Sequence, residues 1–165
     1  MRAVTDTSPL HYLILIGQAD LLPQLYTQVI LPQAVVGELL HPHTPLAVRS
    51  WIQALPPWCT VRQPQHGVPR ELGRLGAGER EAILLVEELG ADILLVDEEA
   101  GRKAAQQRGI PRTGTLGILG TAGMRDLVDF PTAVAQLQAT TFHMPPPAVV
   151  QAILAHYATR KRPST

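Results

Sequence analysis

What this 165-residue chain lacks narrows it first. It has one cysteine, Cys59, which excludes an internal disulfide and a cysteine-rich zinc site and reads as a packed side chain. No apolar run approaches the roughly 18 residues of a membrane span, so no membrane association is expected. The N-terminus has no charged region followed by a long apolar stretch and a cleavage site, so no secretory leader is read and a cytoplasmic location is expected. Aromatic residues make up 4% of the chain, which argues against an aromatic platform for single strands. Formal net charge is zero, which argues against a surface that attracts nucleic acid as a whole and leaves room for a local basic patch. There is no internal repeat and no low-complexity tract.

What remains, 45% hydrophobic and 17% charged, is ordinary for one globular α/β domain running over residues 1–165. The β-favouring run Ala3-Val4-Thr5 ends at Asp6, and Ser8-Pro9 then read as an N-cap and a first helical position. Leu10, Leu13, Ile14 and Leu21 form an apolar helical face, interrupted by Gly17. A strand at Val29-Ile30-Leu31 stops at Pro32, and a helix over 33–40 ends at His41-Pro42. Residues 41–69 are rich in Pro, His and Gln, with a helix expected at 48–55 and a strand at 60–63. His41, His43 and His66 are not at metal-ligand spacing and read as surface loop.

From Gly76 the pattern is clear again. Ala82, Ile83, Leu85, Val86 and Leu89 share a helix face that Gly90 ends. Ile93-Leu94-Leu95-Val96 is a continuous apolar run, as expected of a strand covered on both faces. A helix over 102–108 closes on Gly109, Ile110-Pro111-Arg112 is extended, and Thr113-Gly114-Thr115 opens a helix carrying Leu116, Ile118 and Leu119. Two further helices are read near 132–138 and 147–158, followed by a basic tail, 160–163, expected to fray. Strands alternating with helices predict an α/β fold, an αβα sandwich around a central parallel sheet.

Carboxylates recur at places where such a sheet keeps its ligand crevice. Asp6 and Asp97 each end a strand. Glu79 begins a helix, where the macrodipole favours a negative group, and Glu38 lies on a helix among apolar neighbours. Acids gathered in one cleft repel unless divalent cations neutralise them, and hard oxygen ligands suit Mg²⁺ or Mn²⁺. Such a site suits phosphodiester hydrolysis, with water activated at a metal and no covalent intermediate. Each acid also has a plain structural use: Glu79 and Glu81 as first-turn helix acids, Glu38 as a solvated helix residue, Asp97 as a turn residue. An aspartyl-phosphate phosphatase would carry a second aspartate two residues after the first, and Ser8 stands there.

Laid out in order, "VTDTSPL", "VILPQAVVGELL", "GAGEREAILLVEELGADILLVDEEAGRKAAQQRGIPRTGTLGIL" and "LQATTFHMPPPAVVQAIL" resemble prokaryotic PIN-domain proteins, most closely those related to VapC-type toxin ribonucleases. The likeness covers most of the chain outside 41–69. It implies metal-binding catalytic acids at Asp6, Glu38, Glu79 and Asp97, with Glu81 competing for the third place. Glu98 falls where the subgroup usually has a second acid, often Asp. Thr7, Ser8 and Thr115 would be hydroxyl helpers or helix caps, and Arg102, Lys103, Arg108 and Arg112 the candidates for RNA phosphate contacts. The resemblance further implies Mg²⁺ or Mn²⁺ as cofactor, RNA as substrate, a small antitoxin partner, and a homodimer formed through the C-terminal helices at about 131–158. A non-catalytic PIN module that binds RNA or a protein is the alternative.

Overall fold

The structure is a computed structural model and describes residues 1–162. The chain divides into two compact units, Met1–Thr115 and a second beginning at Leu116.

The first unit is built on five parallel strands, β1 (Arg2–Thr5), β2 (Gln28–Pro32), β3 (Cys59–Arg62), β4 (Ile93–Leu95) and β5 (Arg112–Thr113), in the spatial order β3-β2-β1-β4-β5. Ala3, Val4 and Thr5 of β1 and Val29, Ile30 and Leu31 of β2 are all buried, as strands covered by helices on both faces must be. The expected αβα sandwich with a parallel sheet is therefore what the chain forms. The strand order matters for the site. From β1 the chain winds outward through β2 and β3, then returns to place β4 on the other side of β1. The sheet's topological switch point lies between β1 and β4, where a crevice opens at the strands' carboxyl ends.

The helices of this unit are α1 (Thr7–Leu15), α2 (Leu21–Leu25), α3 (Gln33–Leu39), α4 (Leu46–Gln53), α5 (Ala77–Leu89) and α6 (Glu99–Gln107). Helix α5 follows its sequence pattern: Ala82, Ile83, Leu85 and Val86 are buried against Val4, Ile30 and Leu94 of the sheet. Gly90 ends it at φ 59°, a conformation that costs a residue with a Cβ.

Several expectations need correcting. The apolar face from Leu10 to Leu21 is two helices: Gly17, at φ 72°, ends the first, and Leu21 opens α2. Ser8 is not the cap of α1, because Asp6 takes that place and frees the Ser8 hydroxyl for another partner. Within residues 41–69 the expected helix and strand are present as α4 and β3, each beginning one or two residues earlier, and β3 forms the sheet edge beside β2. His41, His43 and His66 are exposed, as a surface stretch requires. Helix α6 starts three residues earlier than expected, where carboxylates at its first turn suit the macrodipole.

The second unit comprises most of α7 (Thr115–Met124), with α8 (Phe130–Gln138) and α9 (Pro147–Lys161). Asp129 caps α8 by accepting from the Thr132 N–H at 3.1 Å. The Phe130 and Tyr157 rings meet at 4.9 Å, and the Tyr157 hydroxyl donates to the Gly123 carbonyl. Arg160 and Lys161 do not fray: they extend α9, and Lys161 pairs with Asp126. Pro163 lies outside the described residues.

Candidate active site

The crevice at the switch point is occupied by acids. Asp6 follows β1 directly, and its N–H donates to the Leu95 carbonyl of β4 at 2.9 Å, fixing the residue across the junction of the two strands. A cleft of about 260 Å³ opens there, lined by Asp6, Glu38, Glu79 and Glu98 together with Thr7, Ser8, His11, Tyr12 and Gly76. Four carboxylates share it, and no lysine or arginine is among its lining residues.

The electrostatics follow from that crowding. Asp6 is 4% exposed, and its carboxyl is pushed up to about 7. Burial is the main cause; the negative charges of Glu79, Glu38 and Glu98 add to it, and the Thr7 N–H opposes it. Glu79 is raised in the same sense, first by burial and then by Glu98 and Glu38, against the Gly76 N–H. That Gly76 contact is one half of a capping box, in which an acid at the third helical position reaches back to the cap's backbone. The other Glu79 oxygen, Oε2, is buried with no hydrogen-bond partner. His11 is lowered by burial, so it brings no positive charge to the cleft at neutral pH.

Glu38 reaches the cleft from α3. Its Oε1 accepts from the Gly78 N–H at 3.1 Å, and its Oε2 from the Thr7 hydroxyl. Gly78 marks the point where two acids meet. A Cβ there would stand 2.9 Å from Glu38 Oε1 and 3.0 Å from Asp6 Oδ1.

The remaining expected residues divide cleanly. Glu81 is turned away, with Oε2 accepting from the Ala34 N–H at 2.8 Å and so capping the first turn of α3, which has no cap of its own. Between Glu79 and Glu81, Glu79 is the acid in the cleft. Asp97 does not line it. Its Oδ1 accepts from the Thr115 N–H, and its Oδ2 from the Thr115 and Ser8 hydroxyls, all at 2.7 Å. The cleft acid of this segment is Glu98, whose extra methylene gives it reach. Thr115 and Ser8 are accordingly partners of Asp97, and Thr7 is the partner of Glu38.

The four basic residues also separate. Arg102, Lys103 and Arg112 line a second cleft of about 490 Å³ with Glu99 and Gln106. The Arg112 Nε there is buried without a partner. Arg108 does not join them, being paired with Glu87. His11 and Tyr12 are cleft residues that sequence reasoning missed; their spacing of four from Thr7 and Ser8 was the available signal.

The donor set suits a hard divalent cation, since it is all carboxylate oxygen, Asp6 within it is buried, and the buried Glu79 Oε2 lacks a partner. Among the described residues, no three His, Cys, Asp or Glu side chains are drawn together closely enough to hold an ion. No helix of the described chain is long and apolar enough to cross a membrane.

A family profile described as a PIN domain matches residues 2–158. The fold is similar to that of a PilT N-terminus domain protein from the hyperthermophilic archaeon Sulfolobus solfataricus P2, at 18% identity and a TM-score of 0.48, over 88% of this chain and 100% of that one. No curated protein matches in sequence. A profile match over nearly the whole chain, on a parallel sheet with its acids at the switch point, settles the family: the chain belongs to the PIN domains, a nuclease-type fold whose members generally use divalent metal ions.

Proposed function

We propose that this protein is a Mg²⁺- or Mn²⁺-dependent endoribonuclease that hydrolyses RNA phosphodiester bonds. The observation that carries the reading is the single cleft with four carboxylates and no lysine or arginine. Asp6, Glu38, Glu79 and Glu98 are the residues that would hold the cation, which supplies Lewis acidity and counter-charge for attack on a phosphodiester.

The chain's own contributions are positional and electrostatic. Thr7 and the Gly78 N–H hold the Glu38 carboxylate in place. Asp97 ties the first turn of α1, through Ser8, to the first residue of α7, and so fixes the helix that begins next to Asp6. Burial, with the neighbouring acids, disfavours the charge of the Asp6 carboxyl and pushes it up to about 7. Arg102, Lys103 and Arg112 would hold backbone phosphates of the substrate in the second cleft. The likeness to VapC-type proteins supports a place in a toxin–antitoxin pair, with a small antitoxin as partner and a homodimer as the assembled form. Asp97 enters this scheme as a positioning residue, and Arg108 has no part in it.

The test is incubation of purified protein with structured RNAs and Mn²⁺, with products resolved by length. Internal cleavage that disappears with EDTA and in Asp6→Asn is the expected result. Intact RNA with both proteins overturns the reading. A non-catalytic PIN module is favoured by one observation, the lack of a closely gathered acidic triad among the described residues. Calorimetry separates the two: RNA binding with no heat on Mn²⁺ titration supports the module.

A further inference from the structure

The basic cleft runs along almost the whole of α6. Glu99, Arg102, Lys103 and Gln106 recur at three- and four-residue intervals and so share one face of the helix, while Gly101 and Ala105 are its buried residues. Arg112 completes the cleft from β5, the edge strand beyond β4. Among the described residues, no ion pair holds Glu99, Arg102, Lys103 or Arg112. Arg108, the C-cap of the same helix, shows the alternative, since Glu87 holds its guanidinium.

Arg112 is the sharpest case. Its Nε is buried and has no acceptor within the described chain. A charged donor removed from water and left unpaired is costly, so this cleft lacks an acceptor that a ligand would supply. The donors define that ligand. Two guanidinium forks each match a pair of oxygens on a tetrahedral anion, and the ammonium adds a point charge. Three cations against one carboxylate leave an excess of two positive charges. A phosphodiester within an RNA strand carries one negative charge, whereas a phosphate on the end of a strand carries nearly two at neutral pH and offers three free oxygens. The end phosphate matches the cleft in charge and in oxygens; a backbone phosphate matches it in part. Glu98, the neighbour of Glu99, already lines the acid cleft, so the two clefts meet at the start of α6.

Building on the ribonuclease reading, we propose that Arg102, Lys103 and Arg112 bind the terminal phosphomonoester of an RNA strand, so that the enzyme favours RNA whose end already carries a phosphate. Hydrolysis of a phosphodiester leaves a phosphomonoester on one fragment and a hydroxyl on the other. The reaction class that supplies this substrate is therefore an earlier hydrolytic cut.

The test compares short RNAs of one sequence with an internal fluorophore, ending in hydroxyls, in a 5′-phosphate or in a 3′-phosphate. Anisotropy is read with wild-type protein in EDTA, which holds off cleavage. One of the two phosphates is expected to raise affinity about tenfold over the hydroxyl-ended strand. That gain should be lost in Arg102→Gln/Arg112→Gln and kept in Arg108→Gln. Thermal melting checks that each variant folds; Arg102→Gln/Lys103→Gln, on the exposed helix face, replaces a double variant that does not. A phosphomonoester loses its second charge near pH 6, so the gain, taken as a ratio to the hydroxyl-ended strand, should fall about threefold between about pH 7.5 and about pH 5. The ratio cancels protonation in the acid cleft. Of the groups facing the phosphate, arginine and lysine keep their charge over that range, and Glu99→Gln, which should keep the pH response, controls for the carboxylate.

Equal affinity for all three strands, a gain indifferent to which end bears the phosphate, or a gain that survives the double variant overturns the proposal. Adenosine monophosphate that displaces the phosphorylated strand as well as the unlabelled strand does would put a free nucleotide in the cleft and overturn the assignment to an RNA end. Wild-type cleavage with Mn²⁺ is followed in parallel. Cleavage without an end-phosphate gain removes this proposal alone, whereas the gain without cleavage removes the nuclease reading and leaves the phosphate site standing.

Discussion

Glu98 and Glu99 are neighbours in the chain and line different clefts. Glu98 joins Asp6, Glu38 and Glu79, whereas Glu99 lies with Arg102, Lys103, Gln106 and Arg112. The difference arises at the start of α6. Glu98 is its N-cap, with extended backbone, and Glu99 is its first helical residue. From there Arg102 and Lys103 fall three and four positions on, on the same face as Glu99. One glutamate thus adds to an uncompensated cluster of like charge, and the other is offset by its own helix. The contrast teaches that charge is segregated locally in a molecule whose net charge is zero. By charge alone, the acid cleft favours cations and the basic cleft anions.

The sharpest way to break this comparison is to neutralise each glutamate in turn. Glu98→Gln is expected to lower Mn²⁺-dependent cleavage on the order of 100-fold, whereas Glu99→Gln leaves it within about threefold. Initial rates on one RNA substrate decide it, and an equal loss in both would show that the two clefts do not have separate roles.

Asp97 comes next, because its carboxylate accepts three donors in a half-buried place. Asp97→Ala should cost about 2–3 kcal/mol in urea unfolding, from donors left unpaired. If cleavage fell with stability untouched, Asp97 would belong to the cleft after all.

Asp6 supplies a pH dependence. Its carboxyl rises from 3.8 to about 7 on folding, so between these values the folded protein binds more protons than the unfolded chain. Stability is therefore full below about pH 4 and declines as pH rises through 7. Asp6→Asn removes that decline. The variant should match the wild type near pH 4 and exceed it by about 2 kcal/mol at pH 8. This is less than the full ~4 kcal/mol of three pKa units, because Glu79, Glu38 and Glu98 can relax. Parallel unfolding curves at all pH values would contradict the crowding described for the cleft.

The smallest effects belong to the basic side. Alanine at Arg102, Lys103 or Arg112 should weaken RNA binding about threefold each and lower the salt slope by about one, with metal dependence unchanged. Arg108→Ala, which removes only a surface ion pair with Glu87, should change stability by less than ~0.5 kcal/mol and RNA affinity not at all. Fluorescence anisotropy at two salt concentrations measures both.

The parts of the chain that were legible are those where one local pattern decides the outcome. Ile93-Leu94-Leu95-Val96 could only be a covered strand, and Gly90 could only end a helix. Asp6 and Glu79 were found because a strand end and a helix start are readable positions. What was not legible depended on side-chain direction. Asp97 and Glu98 differ by one residue, and their separation between a hydroxyl cluster and the cleft follows from where Ser8 and Thr115 arrive, 89 and 18 residues away. Likewise Glu81 and Glu79 sit on one helix, and only the Ala34 N–H, 47 residues distant, shows which is a cap. Residues 41–69 were obscure because β3 is an edge strand, paired on one side only, and so needs no continuous apolar run.

Gly78 carries a consequence for how this protein could diverge. A methyl group at that position would stand 2.9 Å from a carboxylate oxygen of Glu38 and 3.0 Å from one of Asp6, closer than a Cβ tolerates. A single Gly-to-Ala change would thus spread the acids apart while leaving the sheet and α5 in place. The step from a cleft that gathers its acids to one that holds them apart is therefore short for this chain, one codon wide.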